Sequence, residues 1–245
     1  MRKVYVLGVL LFATSALQAA DFLFIATSST ICGVGNPCSA SAQFSVIDAN
    51  SFSVTLSNTL SSITDAGQLV TDLEFTLPAS TVTLSSSSGT FVNISGAGVP
   101  TVGSTGATGW GFGSNNAVAN NWLLCVICGN GVSTLPHVAP SQGIIDTEAV
   151  YSSANPSIAG NGPHNPFLES GAKFTFQTSG ATLAGSVDPF SNVTISFGTT
   201  FGTDVTGVPD DGGGGGTAVT PEPVSLMLAG GGLIGLAMLK RRRRQ

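Results

Sequence analysis

Between Val4 and Leu239 the sequence holds a single Lys or Arg, Lys173. The other basic residues sit at the two ends: Arg2 and Lys3, then Lys240 with Arg241, Arg242, Arg243 and Arg244. Residues 21–211 set twelve acids against that one lysine, a net charge of about −11. Nucleic-acid binding by the body is excluded on this ground, because neutralising phosphates takes clustered cations. Histidine is almost as scarce: His137 and His164 are the only two in the chain, and both lie beside prolines. No G-x-S-x-G elbow and no H-E-x-x-H pair occurs, so neither a serine-nucleophile nor a zinc-protease reading has a motif to stand on. No stretch of the body sustains an apolar period near 3.6, which excludes a helical bundle.

The two ends read as addresses. Arg2 and Lys3 precede an apolar run, Val4 to Ala13, and small residues lead to Gln18-Ala19-Ala20. Basic start, greasy middle and small-residue end, in that order, make residues 1–20 a secretory signal cleaved near Ala19 or Ala20. At the other end, Gly212 to Gly216 fall in a flexible linker, residues 210–220. Pro221, Glu222 and Pro223 come next, then the apolar run Val224 to Leu239, then the arginines. This run of sixteen residues spans roughly 24 Å as a helix. That is short of the ~30 Å hydrocarbon core, a gap closed by local thinning and by arginines snorkelling to the interface. The basic cluster stays on the cytoplasmic side, which leaves the body outside. Gly230, Gly232 and Gly235 match G-x-G-x-x-G literally, but no strand precedes them and the run is membrane-seeking, so no nucleotide site is read there.

Pro221-Glu222-Pro223-Val224-Ser225, a Gly-rich apolar helix and a terminal arginine run together resemble a PEP-CTERM sorting signal, over residues 221–245. The resemblance implies export by a bacterium with a Gram-negative-type envelope. It also implies an exosortase-type membrane transpeptidase as partner, cutting near the Pro-Glu-Pro, and an association with exopolysaccharide and biofilm. It covers the tail alone and implies nothing about what residues 21–209 do.

The body reads as all-β, an antiparallel β-sandwich or jelly-roll-like domain. Period-two alternation recurs at Gln43–Ile47, Phe52–Leu56, Leu69–Leu77, Thr81–Leu84, Phe91–Ile94, Lys173–Gln177 and Val193–Phe197. Asp48-Ala49-Asn50 reads as a hairpin turn, and Trp122–Ile127 as a central strand. Leu73, Phe75 and Leu77 are expected on one face and Asp72, Glu74 and Thr76 on a solvated opposite face. Residues 129–171, with five prolines, read mostly as loops.

Four cysteines in an exported chain favour disulfides. Local pairing, Cys32 with Cys38 and Cys125 with Cys128, is the first expectation; the alternative links the two pairs across the fold. A thiol redox site would want a thioredoxin-like βαβ setting, and a four-cysteine zinc site two close pairs; both are absent. Asp72 with Glu74, and Asp146 with Glu148, are carboxylate pairs that would serve glycoside hydrolysis or calcium, weighed against plain solvated strand faces. Trp110, in Gly109-Trp110-Gly111-Phe112-Gly113, offers a ring for stacking sugars, weighed against a ring folded back onto the core. Taken together, these features lead to the expectation of a non-enzymatic structural or adhesive envelope protein with no cofactor, associated with exopolysaccharide. A secreted carbohydrate-active enzyme or a calcium-dependent carbohydrate-binding module is the alternative.

Overall fold

The computed structural model describes residues 21–32, 35–115, 118–128, 141–160, 162–181, 183, 186, 188–201 and 204–210. The signal at 1–20, His137 and the tail from 211 onward, including Pro221–Pro223 and Lys240–Arg244, lie outside the described residues. Among the described residues no helix is long and apolar enough to cross a membrane.

The fold is all-β. The strands are β1 (Asp21–Ile31), β2 (Pro37–Asp48), β3 (Ser51–Asn58), β4 (Val70–Thr76), β5 (Thr81–Ile94), β6 (Pro100–Gly106) and β7 (Gly111–Ser114), followed by β8 (Asn121–Cys125), β9 (Ile144–Ile145), β10 (Phe167–Ser179), β11 (Ser191–Phe197), β12 (Asp204–Thr206) and β13 (Val208–Pro209). Hydrogen bonds join them into one mixed sheet, in the order β12-β11-β4-β9-β10-β3-β2-β1-β13, with β5–β6 added on β10 and β7–β8 on β4. The pairings are antiparallel except for β9 with β10. Two-residue β9 is the corner piece, since Ile144 pairs with both Val70 of β4 and Leu168 of β10.

The limbs on either side of that corner face each other across a core, an arrangement consistent with a sandwich. Alternation sets the inward face: Phe44 on β2, Phe52 on β3, and Phe174 and Phe176 on β10 are fully buried, while Lys173 and Gln177 are exposed. From the opposite limb come Phe75 of β4 and Phe112 of β7, with Phe190 between β10 and β11. Phe44 meets Phe75 at a 5.3 Å centroid distance and Phe190 at 4.5 Å. Phe176 meets Phe52 at 4.8 Å and Phe112 at 4.8 Å. Pairs of this kind stabilise by about 0.5–1.5 kcal/mol each beyond area burial, so the aromatic layer fixes how the limbs dock.

Several expected elements differ in extent. Thr81–Leu84 and Phe91–Ile94 belong to one continuous strand, β5, because the intervening serines pair with β10. Residues expected as loop contain β9 and the start of β10. The face holding Asp72 and Glu74 is covered rather than solvated. β4 is an interior strand between β11 and β8, and on this face its neighbours Leu123 and Cys125 form a small apolar cluster with Cys128. Asp72 is accordingly 2% exposed.

Pairing register gives the two ends of the strands separate roles. Asp21 opens β1 beside Ser45, near the 49–50 turn, and the backbone N–H of Asp210 donates to the carbonyl of Leu23 at 2.8 Å. The body therefore enters and leaves at one end. The opposite, distal end carries the turn closing β1 onto β2, the 59–69 connection, the 95–99 turn and the 146–160 segment that follows β9.

Candidate functional site

Side chains from the 59–69 connection, β5, β9, the segment after β9 and β10 converge at the distal end on a small second core that includes Ile63, Leu69, Ile94, Ile145, Tyr151 and Phe167. Asp65 starts a single 3-10 turn, Ala66–Gln68. Its carboxylate accepts from the N–H of Gly67 at 2.7 Å, and the Gln68 side chain accepts from the N–H of Asp65 at 3.1 Å. This is a capping box. Gln68 is 1% exposed, and its amide also donates to the carbonyl of Pro37 at 2.7 Å. Asn58 donates from one amide nitrogen to the carbonyls of Gln68 and Ile144, at 2.9 and 3.2 Å. These buried amides cross-link β2, β3, the 3-10 turn and β9, leaving the distal loops on a rigid base.

Asp146 follows β9 directly and is 3% exposed. Its Oδ2 accepts from the N–H of Ile63 at 3.2 Å, and its backbone carbonyl accepts from the Tyr151 hydroxyl at 2.8 Å. Its Oδ1 and Glu148 Oε1 are buried, with no donor from the rest of the described protein, and the two carboxyl groups are hydrogen-bond neighbours. One proton shared between them satisfies both oxygens; two facing carboxylates would satisfy neither. Burial first, then the Glu148 carboxyl beside it, push Asp146 up to about 7. Burial, followed by the negative charge of Asp146, raises the Tyr151 phenol as well. Below about pH 7 Asp146 therefore keeps its proton beside Glu148. Asp146 has no open path to a substrate, so its chemistry is to hold the 146–151 segment against the 59–63 segment.

Tyr151 ties in the 95–99 turn too, its N–H donating to the carbonyl of Gly98 at 2.8 Å. Gly98 has φ +73°, and a Cβ there would lie 2.5 Å from the carbonyl oxygen of Tyr151. Only glycine permits this approach. Val99 and Val150 flank this contact and are 48% and 46% exposed.

Cys32 is joined to Cys38 and Cys125 to Cys128, with S–S distances of 2.04 and 1.96 Å. Both bridges are local and both lie at the distal end. All four sulfur-bearing residues are buried, at 2% exposure or less. No free cysteine occurs among the described residues.

Trp110 is not an exposed sugar platform. It is 5% exposed, its ring packs on Phe174 at 5.3 Å, and its indole N–H donates to the carbonyl of Gln142 at 2.9 Å. The flanking glycines suggested a free loop; the acceptor at Gln142, remote in sequence, is what draws the ring inward. Nor do Asp72 and Glu74 form an accessible acid pair. Asp72 is buried, and Glu74 Oε1 accepts from the side-chain amides of Asn115, at 2.8 Å, and Asn121. His164 is half-buried and its Nδ1 pairs with the carbonyl of Ser157 at 2.7 Å, a role in closing a loop. Among the described residues no group of three or more His, Cys, Asp or Glu side chains is placed to hold a metal ion.

Sequence reasoning singled out Asp146 and Glu148 but missed Gln68, although Asp65-x-x-Gln68 is the written signature of a capping box.

No protein-family model, curated protein or solved structure matches this chain.

Proposed function

We propose that this protein is an exported, non-enzymatic envelope or matrix component of a bacterium, displayed outward from a tail that resembles a PEP-CTERM sorting signal. In this reading residues 1–20 direct export, 21–209 form an antiparallel sandwich or jelly-roll-like body, 210–220 are a linker, and 221–245 hold the chain in the membrane until an exosortase-type enzyme cuts near Pro221-Glu222-Pro223. The role is structural or adhesive within an exopolysaccharide matrix.

The observation that carries the reading is the placement of Asp210 beside Leu23. A body tethered through its C-terminal side is held by the end where both termini meet. The distal end then points away from the membrane, carrying two buried disulfides, cross-linked loops and the exposed Val99 and Val150. Loops gathered at one end of a rigid β scaffold are the usual place for recognition. Local bridges that persist need an oxidising compartment, which is where an exported chain resides.

Changing Pro221-Glu222-Pro223 to three alanines tests the sorting half. The expected result is an exported body retained in the membrane fraction at full tail length. Release into the medium at the wild-type rate would refute it.

A further inference from the structure

We propose that the outer face of β3, β10, β5 and β6 carries a binding cleft for an uncharged, hydroxyl-rich sugar chain, held between Glu169 and Lys173. The cleft measures about 340 Å³ and is lined by Ser57 of β3, Ser88 and Thr90 of β5, and Thr105 of β6, with Glu169 and Lys173 of β10. That volume is at the small end of ligand sites.

The cleft lies where the ladder is broken on purpose. Leu168 pairs with Phe91 and Ala172 with Gly89, so three residues of β10, Glu169 to Gly171, stand opposite the single residue Thr90. A bulge of this kind lifts side chains off the regular pleat, and bulges gather next to functional sites. Ser170, at the bulge, has φ +57°, a left-handed backbone that a non-glycine residue adopts at a cost. Gly171 completes it: a Cβ there would lie 2.7 Å from Ser57 Oγ and 2.8 Å from the carbonyl of Leu56. The bulge therefore presses against β3 and leaves Glu169 standing at the cleft with Lys173 two residues beyond Gly171.

The lining selects the ligand class. Hydroxyls donate and accept alike, as sugar hydroxyls do, and two of them are pre-set, with Thr90 Oγ1 and Thr105 Oγ1 2.9 Å apart. Glu169 adds an acceptor and Lys173 a donor. Lys173 is the only Lys or Arg between residues 21 and 211, and it sits in the same cleft as a carboxylate, so the site has no net charge to offer an anion. The strongly acidic body repels a uronate polymer. The lining holds no aromatic ring, so each site binds weakly, enough to slow passage over a dense polymer matrix, and firm hold on cells comes from many displayed copies on one polymer.

The inference rests on the display reading for the source of the sugar chain, but binding is measured apart from sorting. Full-length protein in detergent is run over immobilised dextran, agarose and alginate. The expected result is retardation on a neutral matrix, reduced at least fivefold both in Glu169→Ala/Lys173→Ala and in Ser88→Trp, which fills the cleft, with unchanged melting temperatures. The two variants alter exposed or half-exposed positions, and the double variant decides if the tryptophan disturbs folding. Free passage through both neutral matrices would overturn the proposal. So would neutral retention that the variants leave unaltered, or retention on alginate alone that salt abolishes. Surface labelling of whole cells is scored separately, so a displayed protein that ignores neutral glycans refutes the cleft and leaves display standing.

Discussion

The N–H of Asp210 donates to the carbonyl of Leu23 at 2.8 Å, which makes the exit of the body a structural part of its entry. Just before it, β12 pairs with β11 and β13 with β1. One short segment, with Gly207 between, therefore caps the two ends of the strand order. Cutting the chain anywhere after Asp210 removes none of these bonds. Proteins ending at Asp210 and at residue 220 should melt at the same temperature. A protein ending at residue 203 should lose a few kcal/mol, at roughly 0.5–1.5 kcal/mol per ladder bond, and should aggregate through the bared edges of β1 and β11. Thermal unfolding of the three forms checks this.

Stability should fall with rising pH because of the Asp146–Glu148 pair. The folded-state value of Asp146 is raised from 3.8 to about 7, so the native state keeps a proton that the unfolded chain has released. The contribution is fully present below about pH 4, is lost as pH rises toward 7, and is level beyond it. Asp146→Asn mimics the protonated acid, its amide donating to Glu148 while its carbonyl still accepts from Ile63. The variant should match the wild type near pH 4 and exceed it at pH 8, by an amount on the order of a few kcal/mol. Urea unfolding across pH 4–8 measures the difference between the two curves.

Trp110→Ala should unfold the body rather than blunt a surface. It leaves a cavity against Phe174 and an unpaired carbonyl at Gln142; losses of this kind run to about 3–5 kcal/mol. Trp110→Phe keeps a ring, loses the indole donor, and should cost roughly 1–3 kcal/mol. Equilibrium denaturation of both variants reads this out.

The disulfides close short loops, with sequence separations of 6 and 3. Loop-closure entropy then gives about 2 kcal/mol each. Reduction should lower the melting temperature without abolishing folding, and the buried bridges should resist mild reductant in the native state. Thiol counting before and after unfolding tests both points.

How much of this was legible depended on where each element sits. Phe52, Val54 and Leu56 alternate against exposed Thr55, and the hairpin around 49–50 follows from turn residues. β6, an edge strand paired only with β5, has one large apolar residue, Val102, and that is 55% exposed; it has no core face and so no periodicity to read. β1 is nearly continuous in its apolar start, which gives no alternation either. Ser85 to Ser88 looked like a break, yet a strand whose outer face is hydroxylated needs no apolar partner there. The Asp146–Glu148 spacing was visible, but its burial is imposed by Ile63 and Tyr151, which other connections deliver. For Trp110 the inward reading holds, but the partner that fixes it is the carbonyl of residue 142, which no local window contains.

The most direct test of the whole account is intact-mass and terminal-peptide spectrometry of the native protein recovered from envelope and medium. The account predicts a chain beginning at or near Asp21, truncated near Pro221–Pro223 in the released form, with no reactive thiols. A cytosolic product that keeps Met1 and Gln245 and titrates four free cysteines would contradict it.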